Sequence, residues 1–106
     1  MPKYLITGSY TAEGAKGVLA EGGSKRRVAA EQLIASVGGT IEAFYFTFGS
    51  DDFILIVDAP GNAAVAAAAL TGSGSGAIRT RTTVLLTPED VDAATKLSPR
   101  YRAPGA

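Results

Sequence analysis

The segment from residue 40 to residue 58 constrains the fold more than any other part of the chain. Thr40–Phe48 is rich in aromatic and β-branched residues, and Phe53–Asp58 is a second apolar run of strand length. The four residues between them, Gly49-Ser50-Asp51-Asp52, are typical of a turn. The sequence therefore predicts an antiparallel β-hairpin.

Both faces of this hairpin are apolar, which is unusual for a sheet that has one solvent-exposed side. Alternation along the second strand separates one set of side chains, Ile41, Ala43 and Tyr45, from another, Phe44, Phe46 and Phe48. The third strand in the same way separates Phe53, Leu55 and Val57 from Ile54 and Ile56. Leaving large apolar side chains in water would forgo roughly 1.5–3 kcal/mol each, and the patch would exceed what soluble monomers usually show. We therefore expect a second copy to cover one face, as in a dimeric α/β barrel; the alternative is a monomer whose tail folds over its own sheet.

The flanking segments predict the rest of an α+β fold. Lys3–Ser9 reads as a first strand, and residues 12–37 are helical in two segments, the second starting near Ser24. Ala63–Leu70 is an alanine-rich helix, and Ala77–Leu86 alternates as a fourth strand. The order strand, helix, strand, strand, helix, strand is that of the ferredoxin-like βαββαβ fold, with one four-stranded antiparallel sheet and both main helices on one face.

Three segments near the C-terminus complete the predicted organisation. Thr71–Gly76 alternates Gly and Ser and is predicted to be a flexible loop. Thr87 offers a helix N-cap and Pro88 the first helical position, so an extra C-terminal helix is expected. Residues 1–97 are predicted to form a single domain, and residues 98–106 an extended tail.

Missing residue types and the charge balance exclude many function classes. The 106 residues include no Cys and no His, which removes thiolate and imidazole chemistry, and no metal or cofactor is expected. Ten Lys plus Arg balance ten Asp plus Glu, so nothing draws the chain to nucleic acid or to an anionic membrane. No apolar run approaches the roughly 20 residues that span a bilayer, and the start does not resemble a secretory signal. A cytoplasmic location is therefore expected.

Two arginines are the strongest polar candidates for ligand binding. Arg79 and Arg81 share one face of the predicted fourth strand, about 7 Å apart, and their planar guanidinium groups suit a carboxylate or phosphate. The alternative is that they reach solvent or pair with Glu42 or Asp58.

Three tyrosines are further candidates, because a hydroxyl in an apolar cavity can orient a ligand or donate a proton. They are Tyr4, Tyr10 and Tyr45, with core or interface packing as the alternative role. The adjacent Asp51 and Asp52 are interpreted as turn formers, since no further metal ligand accompanies them. The basic cluster at Lys25-Arg26-Arg27 is interpreted as a solvated helix face.

Several separate blocks of the sequence resemble the GYD domain family. They are the opening Lys3–Thr11, the Phe44-Tyr45-Phe46 strand leading to Gly49, and Arg79–Thr83 followed by Leu86-Thr87-Pro88-Glu89. The family takes its name from a Gly-x-Tyr-Asp-like turn, and here Asp51 stands where the tyrosine is expected. The resemblance implies a ferredoxin-like fold of the dimeric α/β barrel kind and little about activity, since related barrels host varied functions.

The function expected from these observations is the binding of a small, partly apolar or anionic molecule by a homodimer or higher homo-oligomer. Whether the protein is an enzyme is left open. One alternative is an enzyme like the cofactor-free oxygenases or isomerases of this fold, in which a cavity Tyr or Asp takes a proton. Another is a structural or stress-associated module without a ligand.

Overall fold

The computed structural model describes residues 1–106 and contains four strands and four helices. In chain order these are β1 (Lys3–Tyr10), α1 (Ala12–Glu21), α2 (Gly23–Ser36), β2 (Thr40–Phe46), β3 (Phe53–Asp58), α3 (Asn62–Gly74), β4 (Ile78–Leu85) and α4 (Pro88–Thr95). The strands form one sheet in the order β2-β3-β1-β4, and all neighbours are antiparallel. The predicted α+β ferredoxin-like fold with an extra C-terminal helix is confirmed. None of the helices has the length and apolar character needed to cross a membrane.

The core lies between one face of the sheet and the helices α2 and α3. Alternate residues of the two central strands are buried there, and α2 and α3 supply the opposing side chains. Burial of each large apolar side chain stabilises the fold by roughly 1.5–3 kcal/mol. The buried set is Tyr4, Ile6, Phe53, Leu55, Val57 and Ala59 from the sheet and its margin, with Ile34 from α2 and Val65 and Ala68 from α3.

Gly8 on β1 is required by the close packing of Phe53, its partner on β3. A Cβ atom at Gly8 would overlap the Phe53 ring and lie 2.7 Å from the Arg79 carbonyl oxygen. The Phe53 ring in turn contacts Tyr10, with ring centroids 5.2 Å apart, and lies parallel to the Phe44 ring at 6.5 Å. Because Gly8 has no side chain, three aromatic rings can lie together on the helix side of the sheet.

The loop between β2 and β3 is fixed to the end of β1 by hydrogen bonds. The Asp52 N–H donates to the Gly8 carbonyl oxygen at 2.8 Å, and the Asp52 carboxylate accepts from the Tyr10 N–H at 2.8 Å. The Thr47 N–H closes the loop by donating to the Asp52 carbonyl at 2.8 Å. Asp52 therefore positions the backbone of Tyr10.

Helix α3 extends to Gly74, so the predicted loop over Thr71–Gly76 is wrong for its first four residues. The Thr71 hydroxyl donates to the Ala67 carbonyl at 2.8 Å, and the Ser75 N–H donates to the Thr71 carbonyl at 3.2 Å. Gly72 also faces Ile78 so closely that a Cβ atom would lie 2.7 Å from its Cδ1. This packing on β4 offsets the low helix propensity of glycine.

A bulge in β2 changes the predicted face of Ile41. Ile41 pairs with Val57, whereas Ala43 pairs with Ile56, so the register shifts between them. Ile41 consequently packs against the core, and its predicted place on the same face as Ala43 and Tyr45 is wrong. A period-two pattern carries no signal for such an inserted residue.

The face of the sheet opposite the helices is bare in the single chain, and we call it the open face. Its centre is apolar, with Leu5 across from Ile56 and Ile54 across from Tyr45. At one end Lys3 contacts Glu42 and Asp58, each at 2.8 Å, and at the other Arg81 contacts Asp51 at 2.6 Å. The open face consists of Leu5, Thr7 and Ser9 of β1, Ala43 and Tyr45 of β2, Ile54 and Ile56 of β3, and Arg79, Arg81 and Thr83 of β4.

The C-terminal segment from Leu86 to Ala106, which we call the arm, extends away from the sheet. All of its residues are exposed, and no hydrogen bond joins it to residues 1–85. The Cα radius of gyration is 17.0 Å, compared with about 13 Å for a compact chain of this length. The arrangement in which the tail covers the sheet of its own chain is therefore not the one observed.

We expect Gly8→Ala to destabilise the protein by about 1–3 kcal/mol, because the added methyl group must displace the Phe53 ring or the β4 backbone. Gly17→Ala is the matched control, since Gly17 lies in α1 with open space around its Cβ position. That change should stabilise the fold by up to about 1 kcal/mol. Urea denaturation of both variants measures the difference. Equal stability of the two variants would contradict the close packing at Gly8.

Candidate functional site

A pocket lies between the helix face of the sheet and helices α2 and α3, with a cavity of about 130 Å³. Phe44, Phe53 and Leu55 contribute its apolar lining from the sheet. The helices line it mainly with residues that have little or no side chain, Ala29 and Ala30 from α2 and Ala68, Ala69 and Gly72 from α3. Because these short side chains cannot fill the space above the aromatic rings, the alanine-rich sequence of α3 leaves a cavity where larger residues would close the core.

Few polar side chains line this pocket, and Tyr10 and Arg26 are the largest of them. Burial raises the pKa of the Tyr10 hydroxyl above its ordinary value of 10.0. The neighbouring Arg26 guanidinium opposes this rise, whereas the charge of Asp52 adds to it. The Tyr10 hydroxyl is therefore protonated at neutral pH and can donate a hydrogen bond to a ligand.

Arg26 comes from the first turn of α2 and is partly exposed. Its nearest acidic group is the Glu21 carboxylate at 3.8 Å, close to the limit for an ion pair. The guanidinium group is therefore weakly paired and is available to an anion at the pocket.

The placement of Arg26 corrects the interpretation of Lys25-Arg26-Arg27 as a solvated helix face for one of the three residues, since Lys25 and Arg27 are exposed. Arg26 precedes Ala30 by four residues and Leu33 by seven, so helical geometry puts all three on one stripe. The spacing of these three residues indicates that Arg26 lies on the face of α2 that packs on the sheet. The sequence-based interpretation missed this placement, because a charged residue on a helix is expected to face solvent.

The five predicted ligand-binding residues lie in three different places. Tyr10 lines the pocket, and Tyr4 is buried in the core with its hydroxyl donating to the Asn62 side-chain oxygen at 2.7 Å. The other three, Tyr45, Arg79 and Arg81, lie on the open face. The sheet separates them from the pocket, so the five do not form one site.

The two arginines of the open face differ in their surroundings. Arg81 donates to the Asp51 carboxylate at 2.6 Å, whereas Arg79 forms no ion pair. Both arginines are exposed to solvent, as the alternative interpretation predicts, but neither pairs with Glu42 or Asp58, because both of these carboxylates contact Lys3. For Lys3 itself, two hydrogen bonds raise the pKa above the ordinary value of 10.5; the bond to Asp58 is the larger cause and the bond to Glu42 the smaller one.

Asp51 and Asp52 both have protein partners in the loop. Asp51 binds the Arg81 side chain, and Asp52 binds the Tyr10 backbone. No group of three or more acidic residues in the chain is arranged to hold a metal ion. These contacts agree with the interpretation of the two aspartates as loop-forming residues.

Comparison with known protein families shows the family of this chain. The sequence model of the GYD domain matches residues 4–95. The chain belongs to the GYD domain family. In this GYD chain, the turn position at which a tyrosine is expected holds Asp51, and its carboxylate ties the loop to Arg81 on β4.

One solved structure similar to this GYD domain is a protein of unknown function from Nitrosomonas europaea. The two share 18% sequence identity with a TM-score of 0.44, and the match covers 81% of this chain and 90% of the other. No curated protein sequence matches this GYD chain.

We expect Asp52→Ala to cost about 1–2 kcal/mol of unfolding free energy and Asp51→Ala less than about 1 kcal/mol. The Asp52 carboxylate holds the Tyr10 backbone by a charge-assisted hydrogen bond, whereas the Asp51–Arg81 pair is largely exposed on the arginine side. Chemical denaturation of the two variants provides the comparison. A larger cost for Asp51→Ala would contradict these assignments.

Tyr10 should also affect stability at high pH. Because its pKa in the folded protein is raised, its contribution is complete below about pH 10 and is lost as the pH rises through the folded pKa. We expect the unfolding free energy of the wild type to fall more steeply above pH 10 than that of Tyr10→Phe. Parallel curves for the two proteins would show that Tyr10 is not buried as described.

Proposed function

We propose that this protein is a homo-oligomeric binding protein for a small, mainly apolar molecule with one anionic group. The observation that supports it is the pocket between α2, α3 and the sheet, in which the Tyr10 hydroxyl and the Arg26 guanidinium accompany an apolar lining. Apolar cavities with a few placed polar groups are typical of small-molecule sites.

The cavity volume limits the apolar part of the ligand. A cavity of about 150 Å³ with aliphatic and aromatic walls accommodates benzene, and the value here is about 130 Å³. One aromatic ring or a short branched aliphatic group therefore fits. A carboxylate on that group would accept hydrogen bonds from Tyr10 and Arg26, which favours aromatic or branched aliphatic carboxylic acids as the ligand class.

The homo-oligomeric part of the proposal rests on the open face. Its apolar centre at Leu5, Ile54 and Ile56 has no cover within the chain, and exposed apolar patches of this kind mark interaction surfaces. A second copy of the chain would cover it with closed two-fold symmetry.

Binding is tested by titrating benzoate, phenylacetate and isovalerate into the wild type, with thermal shift and NMR line shifts as readouts. We expect Arg26→Gln to weaken binding by about one to two powers of ten, because a charge-assisted hydrogen bond contributes roughly 1.5–3 kcal/mol. Arg79→Gln on the open face is the matched control and should bind as the wild type does.

The same titration separates the pocket from the sequence-based prediction that Arg79 and Arg81 bind an anion. Weakening by Arg79→Gln or Arg81→Gln but not by Arg26→Gln would move the ligand to the open face. Absence of saturable binding of all three acids would overturn the proposed ligand class.

Filling the cavity provides a second test that does not involve charge. Ala69→Leu places a larger side chain in the pocket, whereas Ala66→Leu places it on an exposed face of the same helix. We expect Ala69→Leu to abolish binding of the carboxylates and Ala66→Leu to leave it unchanged. Binding retained by Ala69→Leu would exclude the pocket as the site.

An enzyme of the cofactor-free oxygenase or isomerase kind is a second candidate. In it the Tyr10 hydroxyl, which its raised pKa keeps protonated in an apolar pocket, would act as a proton donor to the substrate and not as the proton acceptor expected from the sequence. Turnover of phenolic or lactone substrates that Tyr10→Phe abolishes would support it. Binding of carboxylates without turnover supports the binding protein. The absence of both supports a structural module.

A further inference from the structure

The helix in the arm is short, and its own chain does not bury any of its side chains. Its helix α4 has only eight residues, Pro88–Thr95, and all of them are exposed. Isolated helices shorter than about 12–15 residues are marginal in water, and most helical stability in proteins comes from packing of an apolar face. Helix α4 therefore lacks a packed face in its own chain, and packing on a partner surface would stabilise it.

We propose that the arm of one chain packs on the open face of a second copy, in a reciprocal exchange. The inference rests on the homo-oligomeric part of the proposed function and adds which segments meet. It is independent of the ligand pocket, which lies on the other side of the sheet.

The sequence of the arm suits a docking segment. The Thr87 hydroxyl accepts from the Asp90 N–H at 3.0 Å, and the Asp90 carboxylate accepts from the Thr87 N–H at 2.9 Å. This capping box fixes where the helix begins. Beyond it, Val91 of α4 is 48% exposed and Leu97, two residues past the end of the helix, is 72% exposed, so both residues present apolar side chains to a partner surface.

The open face offers complementary chemistry. Its apolar centre matches the apolar residues of the arm, and its edge strand β4 has Arg79, which forms no ion pair within its own chain. The first two turns of α4 place Glu89 and Asp92 outside the capping box. An arm that crosses the open face of a second chain would bring these free carboxylates towards that free guanidinium group.

The geometry favours a second chain over the same chain as the surface on which the arm docks. The molecule extends 58 Å along one axis and only 31 and 23 Å along the others, because the arm continues away from β4 at the edge of the sheet. In a two-fold dimer each chain gives one arm and receives one, so both uncovered surfaces are covered and the assembly closes.

The absence of cysteine from the chain permits a direct test by disulfide trapping. Leu97→Cys is placed in one chain and Ile54→Cys in a differently tagged chain, and the two are coexpressed and oxidised. We expect a disulfide between the two tagged chains. The matched control pairs Ile54→Cys with Leu19→Cys, because Leu19 is a similarly exposed apolar residue on α1, outside the arm, and should give no disulfide. Thr83→Cys serves as a second position on the open face.

Each other outcome has a definite meaning. No disulfide at either position in a protein that light scattering shows to be dimeric would overturn arm exchange and leave the homo-oligomer intact. A monomeric wild type at tens of micromolar would overturn both. An internal disulfide in the double variant Ile54→Cys/Leu97→Cys, with no link between chains, would mean that the arm folds onto its own sheet and would overturn exchange.

Substitutions in the arm measure its contribution to assembly. We expect Val91→Asp and Leu97→Asp each to raise the dimer dissociation constant at least about tenfold, because burial of an unpaired charge is costly. Leu19→Asp should leave the constant unchanged. An unchanged constant for both arm variants would contradict the proposal.

Discussion

The packing of Phe53 against Gly8 is the contact on which both the core and the pocket depend. Any side chain at residue 8 would meet the Phe53 ring or the β4 backbone, so the central strands could not keep their present register with that ring in place. With the glycine present, Phe53 lies beside Tyr10 and parallel to Phe44, and these aromatic rings help line the pocket. Asp52 then holds the Tyr10 backbone in place from the adjoining loop.

The sheet gives the molecule two faces with different chemistry. On the helix side, short side chains on α2 and α3 leave a cavity beside Tyr10 and Arg26. On the open face, an apolar centre is bounded by the ion pairs of Lys3 and Arg81 and has no cover from its own chain. We therefore propose a small-molecule ligand for the first face and a second copy for the other, and on this proposal a substitution on one face leaves the function of the other unchanged.

The sequence predicted the order of the elements because local patterns determine it, as at the Phe53–Asp58 strand and at the Thr87 N-cap. What it did not predict depends on contacts between distant residues. The bulge between Ile41 and Ala43 and the extension of α3 past Gly72 follow from packing against neighbouring elements. The Arg81–Asp51 pair joins residues 30 positions apart, and no local pattern indicates which carboxylate an arginine will find.

Native mass spectrometry of the purified protein with added benzoate tests the central claim most directly, because it reports assembly and ligand content together. The two-face account predicts a species of twice the 10.8 kDa chain mass, or a higher even multiple, with up to one benzoate per chain. It also predicts that Ala69→Leu removes the benzoate and keeps the assembly. A chain of monomeric mass, or benzoate that is lost only when the assembly dissociates, would contradict the account.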